Sequence, residues 1–142
     1  MIDDRPLLET VVENYDVMLD EMRALIESES VIGSWSSARN ATAVEVDAAT
    51  ADVIGESALW SFTDSVSRDF LARAILLSSL SRIGERYGFS PLVITSSTLG
   101  EFQSIASDEF GARYEFGGMD HSTLTYTTGR HPSKAFARRL VR

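Results

Sequence analysis

The chain contains no cysteine. That absence removes disulfides, thiolate metal sites, redox couples and cysteine nucleophiles in one step, though it assigns no compartment. Histidine is nearly absent too, with only His121 and His131. A regular strand between those two, at about 3.3 Å per residue, holds them about 30 Å apart. They could not then share an ion, and adjacent Asp120 and His121 on a strand point to opposite faces, so no metal site and no cofactor is expected. No apolar run approaches the roughly 18 residues that cross a membrane. The opening Met1-Ile2-Asp3-Asp4 has neither a basic n-region nor an apolar h-region, so no signal peptide is expected in the chain as written. Basic residues are also scarce, and the net charge of −8 argues against a nucleic-acid partner, which needs a concentrated cationic surface.

What is present reads as one globular domain spanning 1–142. At 142 residues, with 44% hydrophobic and 24% charged side chains, the chain is long enough to bury about two-thirds of its unfolded surface. Acidic residues crowd the start, from Asp3 to Glu29, while the tail carries Arg130, Lys134, Arg138, Arg139 and Arg142 with no acid. A basic tail suits an acidic partner or anionic lipid, and equally the protein's own acidic helix.

A first helix is expected over 6–29. Leu8, Val12, Tyr15, Leu19, Met22 and Ile26 recur at spacings of three and four, and Val11, Met18 and Leu25 widen the stripe. Asp3 or Asp4 can cap its start. A second helix begins after Thr63 or Asp64, with Val66, Phe70, Ala74, Leu77, Leu80 and Ile83 or Gly84 as its buried stripe. Its middle is apolar on more than one side, which predicts a deeper position than the first helix. Gly88 is placed as a left-handed stop, with Phe89 packing back and Pro91 preventing continuation.

Strands are expected at 92–96, 101–107, 112–116 and 121–128, with turns at 98–100 and 108–111. Leu92 to Ser96 is β-branched and apolar enough for a central strand, and Gly117-Gly118 reads as a break. Ala112, Tyr114 and Phe116 should point inward. Short turns between consecutive strands imply antiparallel pairing, and the threonine-rich opposite face implies helices on one side only. Between the helices, 34–37 reads as a loop, 42–46 and 58–62 as short strands, and 48–55 is undecided. The fold class expected is α+β: a two-layer domain, an antiparallel sheet of four or more strands with two long helices on one face.

Catalytic constellations are not apparent. There is no Gly-x-Ser-x-Gly elbow for a Ser-His-Asp hydrolase, the acidic residues lie along a solvated helix face, and Gly117-Gly118 precedes no helix that could hold a phosphate. Asn40-Ala41-Thr42 matches a glycosylation sequon, a pattern common by chance. Trp35, Trp60, Phe102 and Tyr126 are the weak candidates for a ligand groove, although aromatics near strand ends are more often core.

The block Arg86-Tyr87-Gly88-Phe89, the strand 92–96, the segment 108–117 and the ending Thr127-Thr128-Gly129-Arg130-His131-Pro132 resemble the mycobacterial LppA-type lipoproteins and related actinobacterial domains of unknown function. Tyr15, Met18 and Leu19 of the first helix fit the same pattern. The resemblance implies a cell-envelope protein, acylated on a lipobox cysteine and held outside the membrane. On that basis the chain is expected to be the soluble, non-enzymatic domain of an actinobacterial surface lipoprotein. Its partner would be a protein, a lipid or a glycan, with membrane contact only through a lipid anchor that this chain lacks. The alternative is a cytosolic protein-interaction module of the same fold, which applies if Met1 is the native start. The resemblance further implies a cysteine where Arg130 stands, paired with one in the segment after the first helix. Here Trp35 is expected to hold residues 33–46 against the end of the last strand instead.

Overall fold

A computed structural model describes residues 5–28, 34–47, 49–62, 70–98, 101–118 and 122–136. Helix α1 spans Leu8–Ser28 and α2 spans Phe70–Arg86. Nine strands accompany them among these residues: β1 Trp35–Arg39, β2 Thr42–Asp47, β3 Asp52–Glu56, β4 Leu59–Phe62, β5 Val93–Ser97, β6 Phe102–Ser107, β7 Arg113–Gly118, β8 Ser122–Thr127 and β9 His131–Pro132. All pairings are antiparallel, in the order β1-β4-β8-β7-β6-β5. β3 runs alongside β2, touches the end of β8 at Glu56↔Thr127, and continues beside β9.

The alternation in the strands decides which face is covered. Phe102, Ser104 and Ala106 of β6, Tyr114 and Phe116 of β7, and Ser122, Leu124 and Tyr126 of β8 are buried, and of the residues alternating with them in these strands only Gly117 is. Both helices lie on that face. α1 buries Leu8, Val11, Tyr15, Met18, Leu19, Met22 and Ile26 against it. Val12 is only half-buried, because the true stripe runs slightly to the Val11 and Met18 side of the expected one.

Helix α2 departs further from expectation. Its core face is Arg73, Leu76, Leu77, Leu80 and Gly84, whereas Ala74 is exposed and Leu71 and Ile75 are 71% and 61% exposed. The apolar surplus of its middle points to solvent, so α2 is not the deeper helix. Thr63, Asp64 and Val66, the side chain of Phe70, and Asp3 and Asp4 lie outside the described residues. The C-terminus of α2 behaves as read. Gly88 adopts φ +91, its N–H donates to Glu85 O at 3.2 Å, and Phe89 N donates to Gly84 O at 3.1 Å, the paired bonds of a Schellman stop. Phe89 then packs between Tyr15 and Tyr114, each ring centroid 5.0 Å away.

Four strand-level readings are corrected. Among the described residues β5 is an edge strand with every residue exposed, not a central one; its β-branched side chains stand at the end of the strand order. Gly117 and Gly118 do not break β7 but pair with β6 and β8, and a Cβ on Gly117 would overlap Phe102 O. Of 34–37, read as a loop, residues 35–37 belong to β1, pinned because Trp35 pairs with Phe62 and donates its Nε1–H to Arg23 O at 3.0 Å. Of the undecided 48–55, residues 49–51 turn and 52–55 belong to β3, while 48 lies outside the described residues.

Trp35 therefore anchors its segment to α1, far along the chain from Arg130. Arg130 meets residues just beyond that segment, through ions rather than packing. The Arg130 guanidinium lies 3.9 Å from Asp47 and 3.7 Å from Asp52.

Candidate functional site

The four aromatics singled out from sequence stand in separate places. Trp35 and Trp60 each meet Arg23: Trp35 packs tilted on Phe62 at 4.9 Å and donates to Arg23 O, and the Arg23 guanidinium closes over Trp60 at 3.7 Å. Phe102 is core, edge-on to Phe116, with the Arg73 guanidinium 4.7 Å above its ring. Tyr126 is also core, and its hydroxyl donates to Asp16 Oδ1 at 2.8 Å. His121 lies outside the described residues. His131 is fully buried in β9 with Nδ1 3.0 Å from Pro6 O, and no group of three or more acidic or histidine side chains is gathered to hold a metal among the described residues.

A different set of residues builds a concave site. A cleft of about 400 Å³ opens between α1 and the ends of α2 and the β6–β7 turn, lined by Pro6, Thr10, Val11, Asn14, Tyr15, Arg86, Tyr87 and Phe110. That size lies at the small end of the roughly 300–1,000 Å³ typical of small-molecule sites. Among the described residues two further depressions compare with it: one of about 370 Å³ beneath α2 and β5, walled by Leu77, Leu92, Ile94, Arg82, Glu85 and small residues, and one of about 300 Å³ beside Tyr126 and the β2–β3 hairpin. Only the first combines aromatic walls with an amide, a hydroxyl and a guanidinium.

Each wall is fixed by its own chemistry. Asp108 accepts the backbone N–H groups of Phe110 and Ala112 on Oδ1, both at 2.8 Å, and its own N–H donates to Ala112 O at 3.0 Å. This Asx turn, completed by Gly111 at φ +90, sets Phe110 at the rim with 37% of its surface exposed. Behind Phe110, Gly129 lies so close that a Cβ there would overlap Phe110 O, and His131 meets the ring edge-on at 5.4 Å. Tyr15 forms the floor and donates its hydroxyl to Asp108 Oδ2. On the opposite wall Glu21 accepts from both the Tyr87 hydroxyl at 2.6 Å and Arg86 Nη2 at 2.9 Å.

These contacts set the electrostatics. Hydrogen bonds from Tyr87 and then Arg86 hold the Glu21 carboxyl below its usual range, and the same bond to Glu21 raises the Tyr87 phenol. Burial, then the bond to Asp108, pushes the Tyr15 phenol well above its ordinary value. The phenols are thus held as neutral donors, and the Glu21 carboxylate as an acceptor. By contrast, neither the Thr10 hydroxyl nor the Asn14 amide has a side-chain hydrogen-bond partner among the described residues, and both line the cleft one helical turn apart.

Sequence reasoning saw Tyr15 as core stripe, Arg86 and Tyr87 as a helix end and Phe110 as part of a turn, and did not single out Thr10 or Asn14. The one local signal is Phe110 itself, a large aromatic inside the polar turn Asp108-Glu109-Phe110-Gly111.

A search of solved structures finds the crystal structure of the "putative lipoprotein LppA from Mycobacterium tuberculosis", superposing with a TM-score of 0.72 over 92% of this chain and 81% of that one, at 9% sequence identity. The two chains share a fold. At that identity the likeness speaks of architecture alone. No protein-family model matches the chain. No curated protein matches it either. The α+β architecture expected from sequence is the one observed. Of the segments that carry the resemblance, 86–89, 108–117 and 127–132 meet around the cleft and 92–96 does not. No helix among the described residues is long and apolar enough to cross a membrane.

Proposed function

We propose that this chain is the folded, non-catalytic ligand-binding domain of a cell-envelope lipoprotein, with its ligand seated in the cleft between Tyr87 and Phe110. The observation that carries the reading is the division of labour among the cleft's polar groups. Tyr15, Tyr87, Arg86, Glu21 and Asp108 are committed to one another and hold the walls, while Thr10 and Asn14 remain open to a guest. A site built for acid–base chemistry would instead leave a titratable group poised near neutrality, and here burial and pairing drive the phenols upward and Glu21 downward. The envelope location is supported by the fold shared with a lipoprotein.

Two measurements test this. Backbone amide NMR with mixed sugars, short peptides and lipid headgroups should show saturable shifts at Asn14, Tyr87 and Phe110. Shifts confined to the depression between α2 and β5 would move the site and overturn the assignment. Fractionation of cells expressing the native gene should place the protein with the envelope; recovery entirely in the cytosol would favour the interaction-module alternative.

A further inference from the structure

The chemistry of this cleft, granted the proposed binding role, narrows the class of guest, and we infer that it is a pyranose sugar, presented as a free saccharide or as a unit of an envelope glycan. A pyranose has two kinds of surface. Its ring faces are clusters of C–H bonds, weakly positive and apolar, and its rim is a belt of hydroxyls that both donate and accept. The cleft offers the complement of each.

The first complement is aromatic. Phe110 is the one aromatic among the large apolar side chains that stand exposed in the described residues; the others are Leu, Val and Ile. It is not a stray exposure, because the Asx turn of Asp108 fixes its backbone and the close approach of Gly129 fixes its back. Across the cleft the Tyr87 ring is held by its bond to Glu21. The negative face of an aromatic ring attracts C–H groups, and a ring already immobilised loses little freedom when a guest stacks on it.

The second complement is the free polar pair. Asn14 supplies a carbonyl and an amide N–H₂, so it can accept from one hydroxyl and donate to its neighbour on the sugar rim. Thr10, one turn away, adds a group that does either. Arg86 carries five N–H donors, of which the bond to Glu21 Oε1 uses one.

Other guests fit less well. An anion such as phosphate needs an uncompensated cation, and Arg86 is already neutralised by Glu21 in a chain of net charge −8. A peptide added as a strand needs a free sheet edge, whereas these walls are helix side chains and a turn. An acyl chain needs a wholly apolar channel, and this lining is mixed.

The test is a glycan array screen followed by amide NMR titration, with phosphoglycerol and a neutral seven-residue peptide as comparison probes. At least one saccharide should give saturable shifts at Asn14, Tyr87 and Phe110. Phe110→Ala and, separately, Asn14→Ala should each weaken it tenfold or more with the melting temperature little changed. Asn14→Ala guards against misfolding, because it places the best helix former on an exposed position of α1. If phosphoglycerol or the peptide saturates the same resonances and no saccharide does, the sugar assignment falls and the cleft remains the binding site. If no probe moves the cleft, or a saccharide binds equally well to both variants, the sugar assignment and the cleft reading fall together.

Discussion

Gly84 shows how closely a single residue can set the spacing of two layers. A Cβ there would stand 2.5 Å from the Tyr114 hydroxyl and 2.8 Å from its ring, so α2 rests directly on the sheet at that point. Gly84→Ala should destabilise by about 1–3 kcal/mol, the usual cost of overpacking, even though alanine is the better helix former. A denaturant melt checks the sign, and a stabilised variant would mean the helix rides higher than described. The tyrosines provide a second measurement. Tyr15, Tyr114 and Tyr126 have phenols raised chiefly by burial. A raised folded value means that the native state holds its protons after the unfolded chain has begun to lose them. Stability is therefore full below about pH 10 and falls as pH rises beyond it, by up to about 1.4 kcal/mol per pH unit for each such tyrosine. Thermal melts between pH 9 and 11.5 should show the decline, with phenolate absorbance appearing at unfolding rather than before it. A melting temperature flat across that range would contradict the buried-phenol picture.

At the scale of elements, legibility followed one-sidedness. α1, β7 and β8 bury a single face each, so their periodicity was readable, down to the inward Ala112, Tyr114 and Phe116. α2 is apolar on two faces, and periodicity alone could not say which one meets the core. Residues 93–97 are β-branched enough for a sheet interior yet lie at its edge, because composition reports fitness for a pleated strand, not position in the order. The cleft was illegible for another reason. Its walls come from α1, the end of α2 and the β6–β7 turn, roughly a hundred residues of chain apart, and every member has a sufficient local explanation. Paired substitutions on α2 test the corrected face. Leu77→Ala should cost about 2–5 kcal/mol, whereas Ile75→Ala should cost under about 0.5 kcal/mol. Equal losses at the two positions would instead support the deeper helix, covered on more than one side, that the sequence pattern suggests.

At the scale of the whole molecule, among the described residues the segments 5–9 and 130–134 are joined by side-chain bonds. Arg5 donates to both oxygens of Asp52, at 2.9 and 3.1 Å, and to Arg130 O at 3.0 Å. His131 meets Pro6 O, and Glu9 accepts from Ser133 Oγ and Lys134 N. Thr128 adds the lock on β3, accepting Gly55 N–H at 2.8 Å. Arg5→Ala should cost about 1–3 kcal/mol, since it removes a charge-assisted pair and leaves Asp52 buried with only the more distant Arg130. This arrangement also decides how the domain would carry a load. A pull on the chain leading into Pro6 reaches Asp52, Arg130 and His131 on β3, β9 and the loop before it at the same moment, so several bonds share the tension before α1 can unwind. The domain should resist stretching from that end far better than its modest helix contacts suggest. In single-molecule pulling from residue 5, wild type should open at a higher force than Arg5→Ala, with the sheet extending only after the clasp gives way.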